Sequence, residues 1–196
     1  MTAAYATIAN QGTYTRPVFY SQVIDSNGRV LLDNTTPTTH TVLKASTASL
    51  LTQGMTSVIT EGTGTSAKLD GKMPVSGKTG TTSSEYDLWF CGYTPYLTAS
   101  IWTGYDENVS LSGDQAYHER LWAKIMNQID SVKKYKAKSF KMSKDVKKYD
   151  ICSSSGKVAI KGVCPTSKSE YFAKGTQPAK CTYCLLYTSP SPRDCS

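Results

Sequence analysis

Apolar residues along the chain change their spacing several times, and each change marks a boundary. Thr2 to Ala9 is alanine-rich and runs into Asn10-Gln11-Gly12, which predicts a short helix stopped by glycine. Val18 to Ile24 and Arg29 to Leu32 are strand-like runs separated by Asp25-Ser26-Asn27-Gly28, and Asn-Gly between such runs predicts a β-hairpin. From Ser46, the expected N-cap, Leu50, Leu51, Met55, Val58 and Ile59 fall on one helical face, with Gly62 and Gly64 beyond its end. That face is expected to pack on a sheet. Pro74 to Thr81, Leu88 to Tyr93 and Leu97 to Tyr105 then read as strands, and their short links imply antiparallel neighbours. After Asp114, Leu121, Trp122, Ile125, Met126 and Ile129 repeat at helical spacing and predict an amphipathic helix that covers this sheet. The fold class expected is α+β, with an antiparallel sheet covered by helices.

Composition divides the chain into four stretches. Residues 1–130 hold the periodic pattern. Residues 131–150 read as a lysine-rich linker: eight lysines fall between Lys133 and Lys148, opposed there only by Asp145, and they carry most of the net charge of +7. Such a run can hold nucleic acid, but without glycine loops or aromatic platforms for bases it reads as solvated, and no nucleic-acid partner is expected. Residues 151–183 carry Cys152, Cys164 and Cys181 among Ser, Gly, Thr and Pro, with too few apolar residues to build a core. Residues 184–196 begin CLLYTSPSPRD, which fits neither helix nor strand periodicity and resembles the translation of a transposase-type sequencing-library adapter; we read this stretch as artefactual. No run approaches the ~18–20 apolar residues that span a bilayer.

The chemistry concentrates in Ser76-Gly77-Lys78-Thr79-Gly80-Thr81-Thr82. Alternate side chains of a strand face one side, so Lys78 and Gly80 address one face and Thr79 and Thr81 the other, with twist and bending relaxing the alternation. A phosphate-binding P-loop is the remote rival, because Gly71 and Gly77-Lys78-Thr79 nearly match its pattern. Five residues separate the glycines where the pattern has four, and Gly80-Thr81-Thr82-Ser83-Ser84 is a poor start for the helix it needs.

In order and spacing, a helix ending in EGTG, then PVSGKTGTT, DLWFCGYTP and SIWTGYD resemble the penicillin-binding protein transpeptidase domain. MTAAYATIANQGTY and DSNGRV resemble its preceding segment, so the resemblance covers about residues 1–130. It implies the C-terminal part of the serine β-lactamase/DD-peptidase-like fold. It also implies that Lys78, Thr79, Gly80 and Thr81 are catalytic and that Ser76, Gly77, Lys78, Thr79 and Thr81 line the substrate site. Lys78 would stabilise negative charge and tune the proton relay. The hydroxyls of Thr79 and Thr81 would hold the terminal carboxylate of a D-alanyl-D-alanine stem peptide or a β-lactam, the Thr81 backbone N–H would serve the oxyanion hole, and Gly80 would let the ligand approach closely.

Acyl transfer in that family needs a serine in SxxK and a second motif, SxN, both ahead of the Lys-Thr-Gly. No SxN occurs here, and SxxK appears only downstream, at Ser131–Lys134 and Ser154–Lys157. The expectation is a fragment, inactive alone, of a longer peptidoglycan D,D-transpeptidase. Its parent would act on the extracytoplasmic face of a bacterial membrane, anchored there and linked to a glycosyltransferase domain. A β-lactamase and a penicillin-sensing receptor share the same motif logic and stay open as alternatives.

Residues 151–183 resemble C-terminal extensions of clostridial-type class A members. If they face outside, a disulfide between two of Cys152, Cys164 and Cys181 is expected rather than zinc, with the pairing open. Cys184 stands in CxxC spacing with Cys181, but the adapter reading removes it. No metal or cofactor is expected. Cys91 is expected to be a buried, inert thiol and His40 and His118 to be exposed or capping, while Trp89, Phe90, Tyr93, Trp102 and Tyr105 pack the sheet.

Overall fold

The computed structural model describes residues 1–164 and 167–182, and the chain divides into two compact units, residues 1–142 and 143–196. Residues 184–196, including Cys184 and the adapter-like stretch, lie outside the described residues.

In the first unit, α1 (Thr2–Ala9) is followed by β1 (Thr13–Thr15), β2 (Gln22–Ile24), β3 (Val30–Asp33) and β4 (Thr39–Thr41). Gln11 and Gly12, at φ 56° and 88°, turn the chain out of α1, and a Cβ on Gly12 would fall 2.1 Å from the Leu43 carbonyl oxygen. The predicted hairpin is β2 against β3, closed by Gly28 at φ 79° and by a hydrogen bond from Asp25 N to Arg29 O at 3.0 Å. Its strands are shorter than the apolar runs suggested, and β1 pairs instead with β4.

Helix α2 spans Ala45–Thr60. Its N-cap is Lys44, which makes no side-chain capping bond, so Ser46 lies inside the first turn and is not the cap. The sheet beyond it has the order β5 (Ser76–Thr81), β6 (Asp87–Tyr93), β7 (Thr98–Gly104), antiparallel throughout. Helix α3 (Tyr117–Lys133) covers it. The core joins Ile59, Ala67, Val75, Phe90, Trp122 and Met126. Phe90 meets Trp122 edge-on at 5.2 Å between ring centres, and Trp122 Nε1 donates to Ala99 O at 3.1 Å.

Two expectations change. The lysine-rich stretch is not a bare linker: Tyr135 stacks on Tyr96 at 4.3 Å, Phe140 packs edge-on against Tyr93, and Lys138 Nζ lies 3.8 Å from the Tyr96 ring centre. Aromatic residues spaced between the lysines supply contacts that a charge count hides. His118 is also neither exposed nor a cap, because its ring is buried at 2% exposure in the first turn of α3.

The second unit holds a hairpin of β8 (Val146–Cys152) and β9 (Ser167–Ala173). Its small interior is formed by Cys152 and Cys181, with Ala159, Ile160, Val163 and Cys164 packed around them.

Candidate functional site

Strand β5 is an edge strand, paired on one side with β6 and open on the other. Its residues change from buried to exposed along its length. Ser76 and Gly77 are buried, Lys78 and Thr81 are exposed, and Thr79 and Gly80 are half-buried. Ser76 donates its hydroxyl to Thr52 O at 3.0 Å and lies 2.6 Å from Thr56 Oγ1. Tyr93 adds a parallel tie, its phenol oxygen 2.8 Å from Thr52 Oγ1; burial pushes its acidity below that of an ordinary phenol and the Thr52 bond opposes this, so the group stays protonated.

These ties reverse the expected polarity of α2. The helix meets the sheet through small and hydroxylated residues, burying Ala48, Ser49 and Thr52, which let two backbones approach closely. Of the predicted apolar stripe only Ile59 is buried in the core. Leu50, Leu51, Met55 and Val58 instead line an open groove of ≈ 490 Å³ with Lys78. A cation thus stands at the margin of an apolar hollow.

Lys78 Nζ donates to Thr79 O at 3.0 Å and to Thr79 Oγ1 at 3.3 Å, so the lysine curls toward its neighbour and the strict strand alternation is relaxed. Thr79 Oγ1 in turn lies 2.8 Å from Thr63 Oγ1. Thr63 belongs to the EGTG turn after α2, and sequence spacing alone did not mark it as a neighbour of the motif. Gly80 carries its backbone past Trp89, whose Cβ would lie 3.3 Å from an added methyl. Lys78, Thr79, Gly80 and Thr81 are therefore consecutive along one accessible edge, whereas Ser76 and Gly77 fix the buried end of the strand and present no free face to a ligand.

Lys78 lies in the middle of a strand, paired in register with Cys91, and the next helical element is the 3-10 turn Ser83–Glu85. The phosphate-binding loop, which needs an α-helix to begin at the lysine, does not fit. Cys91 is buried at 3% exposure. His40 is exposed and lies against the Tyr14 ring at 5.0 Å. Of the aromatic residues expected in the sheet, Phe90 and Tyr93 are fully buried, while Trp102 and Tyr105 keep exposed faces.

In the second unit, the Sγ atoms of Cys152, Cys164 and Cys181 all lie within 4.8 Å of one another. No helix among the described residues is long and apolar enough to cross a membrane.

Residues 1–129 match the family model for the penicillin binding protein transpeptidase domain, and residues 142–188 match that for the penicillin-binding protein 1A C-terminal domain. The chain is 40% identical over 126 residues to penicillin-binding protein 1A of Clostridium acetobutylicum, an alignment that covers 64% of this chain and 16% of that protein. The chain thus spans a small part of the relative's length. Among solved structures it resembles the penicillin-binding protein PonA1 from Mycobacterium tuberculosis, with a TM-score of 0.61 and 28% identity over 71% of this chain and 39% of that one. Penicillin-Binding Protein 1A from Haemophilus influenzae shares the fold, with a TM-score of 0.73 at 19% identity over 92% of this chain and 32% of that one.

Proposed function

Because the chain belongs to the penicillin-binding protein transpeptidase family, we propose that β5 is the substrate-facing wall of a peptidoglycan D,D-transpeptidase site. The observation that carries this reading is the accessible run Lys78-Thr79-Gly80-Thr81 on an open sheet edge, exposed at Lys78 and Thr81 and half-buried between them, with the Lys78 ammonium 3.3 Å from the Thr79 hydroxyl. An ammonium and two hydroxyls on an open strand are suited to an anionic peptide terminus, and the free strand edge is suited to an extended peptide. The ligand class is a stem peptide ending in D-alanyl-D-alanine, or a β-lactam.

In this reading the Thr79 and Thr81 hydroxyls donate to the terminal carboxylate and Lys78 stabilises negative charge that develops during acyl transfer. The Thr81 backbone N–H faces the oxyanion. Ser76 and Gly77 are positioning residues: the bonds from Ser76 to α2 hold the strand on which Lys78 is carried. A serine oxygen attacks the penultimate carbonyl and the terminal D-alanine leaves as the amine, giving an acyl-enzyme that an acceptor amine then resolves. The chain has no SxN and no SxxK ahead of Lys78. In this reading the attacking serine belongs to a part of the parent protein that these residues do not include, and the 196-residue chain is expected not to acylate by itself. The intact protein would work outside a bacterial membrane, anchored to it and joined to a glycosyltransferase domain. In this reading residues 1–130 are the transpeptidase segment and residues 151–183 a C-terminal extension.

The test is a chimera in which residues 1–130 replace the matching segment of the Clostridium acetobutylicum relative. The chimera should be labelled by fluorescent penicillin, the 196-residue chain alone should not, and Lys78→Ala in the chimera should slow labelling by about 100-fold or more. Unchanged labelling of the Lys78→Ala chimera would reject the assignment.

A further inference from the structure

In the second unit three cysteines come from separate turns and converge. Cys152 ends β8, and its N–H donates to Lys157 O at 2.8 Å across a turn in which Gly156 has φ 66°. Cys164 closes a second turn, its N–H donating to Ile160 O at 3.0 Å, with Gly162 at φ 79°. Cys181 follows the bridge between Val158 and Lys180 and donates its N–H to Val158 O at 2.8 Å. Each cysteine is thus held by its own backbone bond, and the Sγ atoms lie within 4.8 Å of one another.

Two of the sulfurs also face hydrogen-bond donors. Ile160 N–H donates to Cys164 Sγ at 3.3 Å and the Ser155 hydroxyl donates to Cys181 Sγ at 3.2 Å. Donors placed on sulfur orient it and are the outer contacts that metal-bound sulfurs make. The packing adds a third observation. Among the described residues of this unit, Cys152 and Cys181 are the buried core, at 0% and 1% exposure. A small unit with so little buried apolar surface needs a cross-link or a metal to hold its shape.

We propose that Cys152, Cys164 and Cys181 bind a thiophilic divalent cation of the zinc class through their three sulfurs. Tetrahedral zinc with Zn–S bonds of about 2.3 Å places its sulfurs about 3.8 Å apart, so the cluster needs to contract by no more than roughly an ångström. A disulfide would use only two of these sulfurs, whereas one cation engages all three. The fourth coordination position is left to water or another donor. The sequence conceals this site because eleven residues separate Cys152 from Cys164, without a first CxxC pair. The turns and the Val158–Lys180 bridge are what bring the sulfurs together.

The experiment uses the 196-residue chain, purified with reductant and without chelator and dialysed against zinc. Metal content, native mass and iodoacetamide mapping are read together. The expected result is about one zinc per chain, with Cys152, Cys164 and Cys181 shielded from alkylation until a chelator is added. Cys152→Ser, Cys164→Ser and Cys181→Ser should each weaken zinc binding by at least tenfold, while Cys91→Ser leaves it unchanged. Absence of bound zinc overturns the proposal, as does alkylation of the three cysteines at equal rates with and without chelator. So does a disulfide between two of them that persists under reductant and excludes zinc. The alkylation map is read on the unaltered chain, so the outcome stands even if a serine variant fails to fold.

Discussion

Gly77 of β5 lies directly across the ladder from Gly92 of β6, and the Phe90 ring crowds both. A Cβ on Gly77 would come 2.7 Å from Phe90 Cζ and 2.8 Å from the Cys91 carbonyl oxygen. The second neighbour is backbone and cannot swing aside, so the paired glycines set how closely β5 approaches the core.

Gly77→Ala is therefore expected to destabilise the chain by about 1–3 kcal/mol through overpacking. Gly80→Ala, whose new methyl would meet only Trp89 Cβ at 3.3 Å, should cost about 0.5–1 kcal/mol. Urea titrations of the two variants measure the difference, and equal midpoints would show that β5 shifts freely.

Trp122 anchors the sheet to α3 by two means: its ring meets Phe90 edge-on and its indole N–H donates to Ala99 O. Trp122→Ala should cost about 3–5 kcal/mol by opening a cavity. Trp122→Phe keeps an aromatic ring but leaves the Ala99 carbonyl without its indole donor, for a loss of about 1–2 kcal/mol. Chemical denaturation followed by circular dichroism distinguishes the two.

The sheet is legible in the sequence because β6 and β7 are runs rich in apolar and aromatic residues joined by a short link and β5 is marked by its Lys-Thr-Gly motif, and α3 because Trp122 and Met126 recur at helical spacing. The direction in which α2 packs is not legible. Periodicity assigns Leu50, Leu51, Met55 and Val58 to the buried face, but Ala48, Ser49 and Thr52 win it because their small side chains fit against Ser76 and Tyr93. The Lys-Thr-Gly edge is readable as a motif, while its contact with Thr63 depends on a turn that no local pattern encodes. Convergence of the three cysteines is hidden for the same reason, since two turns and a bridge create it.

If Thr79 and Thr81 receive the substrate carboxylate, Thr79→Val and Thr81→Val in the chimera should each weaken recognition of an anionic β-lactam by about 10-fold or more, as for a lost hydrogen bond to a charged group. An amidated analogue, which lacks that charge, should lose much less. Acylation rates measured against ligand concentration separate the two cases; equal losses for both ligands would place the carboxylate elsewhere.

His118 and Glu119 are adjacent, both buried in the first turn of α3, and burial acts on them in opposite directions. Loss of hydration lowers the His118 pKa below its ordinary 6.5, opposed by the Trp89 backbone, which falls short of hydrogen-bond geometry. A lowered folded-state pKa means that the His118 contribution is complete above 6.5 and is lost as pH falls through the lowered value. For Glu119 burial raises the carboxyl above its ordinary 4.5, opposed by the Ser66 backbone. Its contribution is complete below 4.5 and is lost as pH rises through the raised value. Melting temperature against pH should therefore lose its acid-side decline in His118→Gln, and Glu119→Gln should gain stability relative to the parent chain as pH rises above the raised carboxyl value. Parallel profiles for all three proteins would show that neither group changes its protonation on folding.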